Sequence, residues 1–120
     1  MPFLRIETNK KMTEEEVDHL MDTLADFIVD QFRALPKEFV FVTINQNSRM
    51  FFRNSTEPAA FCTFKVKNLK IYKKTVDLES LDITISAHVK VLLGLPDGRV
   101  FVEVIDMDRK GVSSYFDGLF

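Results

Sequence analysis

Pro2 is a candidate catalytic base because of its place in the chain. A proline directly after the initiator methionine becomes the chain end once Met1 is removed, and it then carries a secondary amine. Burial among apolar side chains disfavours the charged form of an amine and so lowers its pKa. Such an amine could accept a proton from a carbon beside a carbonyl group near neutral pH. The alternative is an ordinary Met-Pro start without a chemical role.

Glu103 is the second candidate for acid–base chemistry. It alternates with Phe101 and Ile105, so in a strand the three side chains share one face and the carboxylate has apolar neighbours. In a pocket it could act as a second acid or base. On an open surface it would instead pair across strands with Lys65 or Lys67.

The other reactive side chains predict neither a metal site nor a cofactor. Cys62 is the single cysteine, which excludes an internal disulfide, and its apolar neighbours predict a buried thiol. His19 and His88 have no carboxylate or cysteine at the spacing of metal ligands. The sequence also lacks a glycine-rich phosphate loop and the G-x-S-x-G signature of serine hydrolases.

The elements that must position these residues begin directly after Pro2. Residues 3–8 alternate between apolar and charged side chains, which predicts a half-buried strand. Thr13 and Glu16 have the spacing of a capping box, in which each side chain satisfies a free backbone N–H, and so predict the start of a helix. The predicted apolar stripe of this helix consists of Val17, Leu20, Met21, Leu24, Phe27, Ile28 and Phe32.

The first half of the chain is predicted to end with a strand. Pro36 should end the helix, since Leu35 before a proline is disfavoured in the helical conformation. The near-continuous apolar run over residues 39–44 predicts a strand covered on both faces. Polar turn residues then predict a linker over residues 46–58.

The second half repeats the order strand, helix, strand. Residues 59–66 predict a strand, and Gly94 is placed to cap a helix over residues 78–93 at its C-terminus. Residues 99–106 predict a final long strand, and the tail to residue 120 is either irregular or one more short strand. The predicted stripe of the second helix consists of Leu78, Leu81, Ile85, Val89 and Leu92.

This order predicts an α+β fold made of two β-α-β units, with both helices on one face of a four-stranded sheet. The ferredoxin-like sandwich and the tautomerase fold both have this order. Helices on one face leave the other face bare, and 12 phenylalanines against 2 tyrosines and no tryptophan favour covering it with a partner chain. At 120 residues, the chain is predicted to form a single domain over residues 1–120.

The charge of the chain argues against a nucleic-acid partner, and its hydropathy argues against a membrane partner. The net charge of −2 without a basic cluster argues against nucleic acid, which requires a clustered basic face. No apolar run approaches the roughly 20 residues that span a bilayer, and the first residues lack a signal-peptide core. We therefore expect a cytoplasmic protein, or one secreted by a route without a signal peptide.

Three stretches resemble the macrophage migration inhibitory factor family of the tautomerase superfamily. They are the opening MPFLRIETN, the stretch LPKEFVFVTINQNSRMFFRNSTEPAAF that contains Pro36 and Pro58, and LGLPDGRVFVEVIDMD at the last strand. Element order, length and linker agree over essentially the whole chain.

This resemblance implies a homotrimer with its three sheets wrapped into a barrel-like core. It also implies pockets at the subunit interfaces, each with the N-terminal proline as catalytic base. Members of the family typically interconvert the keto and enol forms of aromatic 2-oxo acids such as phenylpyruvate, and some act as secreted cytokines. The implied partners are thus a small-molecule 2-oxo acid or enol and, for a cytokine-like role, a protein receptor.

The chain departs from the family at several pocket positions. Leu35 stands where the family has a lysine that holds the substrate carboxylate, and Lys67 stands where it has an isoleucine. Phe101 and Glu103 replace a tyrosine and an asparagine. We expect Lys67 to pair with the substrate carboxylate, with Arg33 and Lys37 as weaker alternatives. The expected apolar wall around Pro2 consists of Phe3, Phe101 and Phe116, and residues 116–118 only loosely match the family's C-terminal Trp-Asn-Gly pattern.

Three alternatives remain open from the sequence. The altered pocket is also consistent with a trimeric binding or cytokine-like protein with weak or no catalysis. Pro2 together with Glu103 could instead support hydration or decarboxylation. A ferredoxin-like RNA-binding domain is the third reading, because the stretch RVFVEV places an aromatic residue on a strand.

Overall fold

The structure, a computed structural model, describes residues 2–32, 35–67, 78–107 and 111–116. Within these ranges each half of the chain begins with a strand, continues with a helix and returns to a strand. A short 3-10 helix, Lys37–Phe39, lies before the second strand. The longer elements are β1 (Phe3–Thr8), α1 (Glu14–Gln31), β2 (Phe41–Asn45), β3 (Ala60–Val66), α2 (Leu78–Leu93), β4 (Val100–Asp106) and β5 (Gly111–Phe116).

The described strands form one mixed sheet in the order β2-β1-β3-β4-β5. β1 and β2 are parallel and connected through α1, and β3 and β4 are parallel and connected through α2. β1 and β3 run antiparallel and join the two units. The predicted pair of β-α-β units is thus confirmed. The sheet has one strand more than the four predicted, because β5 in the tail pairs antiparallel with the edge of β4.

The capping box at the start of α1 is present as predicted. The backbone N–H of Glu16 donates to Thr13 Oγ1 (3.1 Å), and the backbone N–H of Thr13 donates to Glu16 Oε1 (3.0 Å). These hydrogen bonds to Thr13 lower the pKa of the Glu16 carboxyl below its usual value. The helix ends at Gln31, several residues before Pro36. It ends early because Phe32 turns into an extended conformation, which buries its ring against Phe64 with centroids 6.0 Å apart.

Both helices cover the same face of the sheet. Strand residues at alternate positions share one buried cluster with α1 and α2, and the Phe27 ring of α1 stacks on His88 of α2 with centroids 3.8 Å apart. In α2 the predicted Leu92 is exposed, whereas the next residue, Leu93, is buried. The sheet contributes Leu4, Ile6, Ala60, Cys62, Phe64, Val66, Val100, Val102 and Val104 to this core.

β2 differs from the prediction of a strand covered on both faces. It is an edge strand, and the Phe41 side chain is 51% exposed. Phe39 belongs to the 3-10 helix before it. An apolar run predicts that a strand is buried, but it does not show which elements cover its two faces. In this sheet the two helices cover only one face. The other face, which we call the open face, carries Phe3, Arg5, Phe41, Phe61, Phe101 and Glu103.

Neither helix in the described ranges combines the length and the apolar composition needed to cross a bilayer.

Candidate active site

Pro2 lies buried at the point where the chain enters β1. Its carbonyl oxygen accepts a hydrogen bond from the backbone N–H of Phe41 (3.0 Å), which extends the pairing between β1 and β2 to the first described residue. Leu4 and Ile6, the next residues of the same parity, belong to the core. Pro2 is thus buried on the same side of β1 as these core residues, and burial lowers the pKa of an amine.

Lys67 lies at the same end of the sheet as Pro2. β3 runs antiparallel to β1, so the last residues of β3 lie beside the first residues of β1, and Lys65 pairs with Phe3. Lys67 directly follows β3, is exposed, and makes no ion pair with any described residue. We call this region the Pro2 end of the sheet. The Pro2 end of the sheet thus presents the Lys67 amine, which has no ionic partner among the described residues and can bind an anion.

The alternative cation Lys37 is less suited than Lys67 to bind the substrate carboxylate. Lys37 makes ion pairs with Asp22 (2.6 Å) and Asp26 (2.8 Å), and hydrogen bonds to both carboxylates raise its pKa. Its charge is therefore already matched. Leu35, at the position of the family's lysine, is 5% exposed and belongs to the core. Arg33 lies outside the described residues.

Phe3 and Glu103 both line a cavity of about 250 Å³ on the open face. The Phe3 ring packs on Phe41 with centroids 4.9 Å apart. Glu103 lies opposite Thr63 in the middle of the sheet and makes no ion pair with any described residue, neither with Lys65 nor with Lys67. The carboxylate is therefore available to a ligand or a partner chain.

Phe101 and Phe116 lie at the opposite end of the sheet from Pro2. They are paired in neighbouring strands. Phe3 lies level with Ile105 through Lys65, four residues along β4 from Phe101. At a rise of about 3.3 Å per residue this is a separation of about 13 Å. Within one protomer, Phe101 and Phe116 thus do not form a wall around Pro2. Asp117 and Gly118, which belong to the loosely matching C-terminal pattern, lie outside the described residues.

Sequence reasoning missed a second group of aromatic residues, which surrounds Phe101. Phe61 stacks on Phe101 with ring centroids 5.4 Å apart, and Phe52 meets Phe116 edge to face at 5.1 Å. The Arg53 guanidinium lies 4.9 Å from the centre of the Phe116 ring. We call this region the Phe101 end of the sheet. The alternation of Phe61 with the core residues Cys62 and Phe64 already placed it on the open face, but the linker residue Phe52 carried no such signal.

The described residues offer no metal centre and no reactive thiol. No group of three or more histidine, cysteine or acidic side chains is arranged there to hold an ion. Cys62 is fully buried in the core, and burial raises the pKa of its thiol far above the usual value. Burial therefore disfavours the thiolate that nucleophilic chemistry needs.

Comparison with known proteins places this geometry in one family. The family model described as macrophage migration inhibitory factor matches residues 1–115. A macrophage migration inhibitory factor homolog of Trichinella spiralis is 28% identical over 119 residues, which cover 93% of this chain and 94% of that protein.

Solved structures share the fold at low sequence identity. The crystal structure of MIF2 of Leishmania major has a TM-score of 0.71 at 19% identity, with 92% of each chain covered. The structure of Pt0534 inactivated by 2-oxo-3-pentynoate has a TM-score of 0.70 at 15% identity, with 88% of this chain and 85% of that chain covered.

Proposed function

This chain belongs to the macrophage migration inhibitory factor family, and we propose that it is a keto–enol tautomerase for aromatic 2-oxo acids such as phenylpyruvate, with Pro2 as its general base. The observation that carries the proposal is the burial of Pro2 at the end of the sheet that also presents Lys67. Family membership supports the reaction class, and the burial of Pro2 supports the neutral amine that the reaction needs.

The proposed reaction moves one proton between carbon and oxygen. With Met1 removed, the Pro2 amine takes a proton from C3 of the 2-oxo acid. The C–H electron pair then forms the C2–C3 double bond, and the carbonyl electron pair moves to oxygen. Return of the proton to that oxygen completes the enol. A positioned base of this kind contributes a factor of about 10² to 10⁴ to the rate.

Substrate recognition is assigned to one cation and to apolar rings. The Lys67 amine pairs with the substrate carboxylate, which the buried Leu35 cannot do. Phe3 supplies an apolar wall from the same protomer.

Phe101 and Phe116 reach the pocket only if a second protomer brings its Phe101 end to the Pro2 end of the first. Because these two ends are different surfaces, such contacts are heterologous, and they close into a ring when the rotation between subunits permits it. The family resemblance implies a ring of three. We therefore propose a homotrimer with three such pockets.

A 2-oxo acid also appears in one comparison. Pt0534, which shares the fold, is inactivated by 2-oxo-3-pentynoate. This supports the choice of 2-oxo acids as the substrate class to be tested here.

The test compares keto–enol conversion of phenylpyruvate and 4-hydroxyphenylpyruvate by the wild-type protein and by Pro2→Gly. We expect kcat/KM to fall at least about 100-fold in the variant, because glycine leaves a primary amine without the ring. The intact mass of each protein establishes that Met1 is absent. Unchanged activity in Pro2→Gly would exclude Pro2 as the base.

A second candidate is a trimeric binding or cytokine-like protein without useful catalysis. The burial of Leu35 at the position of the family's lysine favours it, since the usual carboxylate partner is missing. Its partner would be a protein receptor. Intact-mass analysis of protein from native cells separates the two candidates: retained Met1 acylates the Pro2 nitrogen and removes the base.

A third candidate assigns a second proton transfer to Glu103, as hydration or decarboxylation of the substrate requires. The lack of an ion pair for Glu103 among the described residues favours it. Water addition to 2-oxo-3-pentynoate, followed by product analysis with wild type and Glu103→Gln, tests this reaction. Loss of hydration with tautomerisation retained would assign the second group to Glu103.

A further inference from the structure

We propose that the outer surface of the two helices is a docking site for a basic amphipathic helix of a partner protein. Its centre is a row of apolar residues on α2, Ile83, Ala87 and Val91, which we call the outer stripe. The outer stripe borders α1, which is strongly acidic. The site needs no chemistry at Pro2, and it goes beyond the proposed enzymatic function.

The outer stripe exposes apolar side chains where a helix at a protein surface is normally polar. Ile83 is 49% exposed and Val91 is 74% exposed, and Ala87 between them is also exposed. Residues four positions apart lie on one side of a helix, so the three form a row about 12 Å long. Lys90, the residue before Val91, is bound to Asp97 at 2.7 Å. The row is therefore an uncharged contact surface with the spacing that another helix uses for its apolar anchors.

The proposed ring leaves the outer stripe uncovered. The subunit contacts of that ring use the Pro2 end, the Phe101 end and the open face of the sheet. α1 and α2 lie on the opposite face, where they cover the core. The inner residues of α2, such as Ile85 and Val89, are buried there, whereas the outer stripe is exposed. A partner protein can therefore reach the stripe in the assembled trimer.

The charge beside the outer stripe is negative. Phe27 of α1 stacks on His88 of α2, and Val91 lies one helical turn after His88, so α1 borders the stripe. α1 contains no lysine or arginine, and Lys37 pairs with only two of its carboxylates. The whole chain has a net charge of −2, so much of its negative charge is concentrated in this helix. The exposed carboxylates of α1 belong to Glu14, Glu15, Glu16, Asp18, Asp22, Asp26 and Asp30.

This combination of surfaces defines the chemistry of the partner. The outer stripe requires an apolar face, and the carboxylates of α1 require lysine or arginine beside that face. An anionic bilayer also attracts apolar helix surfaces, but α1 would be repelled by its surface charge. A second copy of this chain would bring another acidic α1 to the same surface. A basic amphipathic helix meets both requirements, in the helix-in-groove mode of recognition.

The probe is a labelled peptide of about 14 residues made of leucine and lysine, with the leucines at helical spacing. Its affinity for the full chain is measured by fluorescence anisotropy at pH 7. One comparison peptide has the same composition with leucine and lysine alternating, and the other is helical with glutamate in place of lysine. The variant is Val91→Gln. The matched control is Met107→Gln, which removes another exposed apolar side chain directly after β4.

We expect Val91→Gln to weaken the helical leucine–lysine peptide at least about fivefold, because the variant places a polar side chain in the outer stripe. Met107→Gln should leave the affinity within about twofold. The alternating peptide and the glutamate peptide should bind the wild-type protein at least about tenfold more weakly than the probe. The first has no apolar helix face, and the second has the same charge as α1.

Equal affinities of the helical and alternating peptides would mean general charge attraction and would overturn the site. An affinity that Val91→Gln leaves unchanged would overturn it as well. Phosphatidylserine vesicles and size-exclusion chromatography test the other occupants. Val91-dependent binding to the vesicles, or a Val91-dependent assembly larger than the ring, would assign the stripe to a membrane or to a second copy if the peptide does not bind.

Tautomerase activity distinguishes this inference from the proposed function. Val91→Gln should keep the kcat/KM of the wild-type protein for phenylpyruvate, because α2 lies on the other face of the sheet from the proposed pocket. Pro2→Gly should keep the affinity for the helical peptide. Val91-dependent peptide binding in a protein without tautomerase activity supports the docking site and rejects the enzyme, whereas Pro2-dependent activity without peptide binding does the reverse.

Discussion

The Arg99 guanidinium lies 5.4 Å from the centre of the Phe52 ring and donates through Nη1 to the carbonyl oxygen of Phe52. The same buried side chain donates to the carbonyl oxygens of Pro58, Ser55 and Glu57. One arginine at the start of β4 thus holds the whole turn of the linker against the sheet. This contact sets the position of the aromatic residues at the Phe101 end.

Arg99→Met should lower the free energy of unfolding by about 3 kcal/mol, because it removes the hydrogen bonds that a buried, charged guanidinium donates to four backbone carbonyl oxygens. Urea denaturation followed by circular dichroism measures the change. The matched control is Arg49→Gln, which removes an exposed guanidinium without a described partner and should change the free energy by less than about 0.5 kcal/mol. Equal stability of the two variants would contradict this role of Arg99.

Lys67→Gln should raise the KM for phenylpyruvate about tenfold and change kcat little, because the amide retains hydrogen bonding but loses the charge that pairs with the carboxylate. Steady-state tautomerase kinetics measure both constants. Lys37→Gln provides the control. Its charge is matched by Asp22 and Asp26, so KM should stay at the wild-type value. If KM rises in Lys37→Gln and stays unchanged in Lys67→Gln, the substrate carboxylate is bound by Lys37 and not by Lys67.

Cys62 should make stability depend on pH in the alkaline range. Burial raises the pKa of its thiol in the folded state above the usual value of 9.0, so only the unfolded chain ionises as the pH rises past that value. The contribution is complete below about pH 9 and is lost above it. Urea denaturation between pH 8 and 10 should therefore show a falling free energy of unfolding, and Cys62→Ala should remove the part of the slope that belongs to the thiol. An identical slope in both proteins would argue against this assignment.

The capping box of α1 should make stability depend on pH in the acidic range. Hydrogen bonds from Thr13 lower the pKa of Glu16 in the folded state below its usual value of 4.5. The contribution is thus present above that value and is lost as the pH falls through the lowered pKa. Thr13→Ala should cost about 1 kcal/mol at pH 7. Glu16→Gln should keep the cap but flatten the acid response, as measured by urea denaturation between pH 3 and 7.

Local chemistry in the sequence determined the helices and most strands. The capping box of Thr13 and Glu16, the φ of +65° at Gly94 and the alternation of buried Cys62, Phe64 and Val66 all appear in the structure where their patterns predicted them. These signals depend on residues within a few positions of one another, so the sequence alone is sufficient to read them. The family resemblance that accompanied them is likewise confirmed.

Contacts between distant segments decided the rest. α1 ends before Pro36 because Phe32 is buried against Phe64, and β5 exists because β4 offers it an unpaired edge. The separation of Phe101 from Pro2 follows from strand register, which no short pattern reveals. Side chains brought together by pairing across the sheet gain their energy from partners far away in sequence. For this reason, the sequence named candidate site residues, and only the tertiary structure assigned them to opposite ends of the sheet.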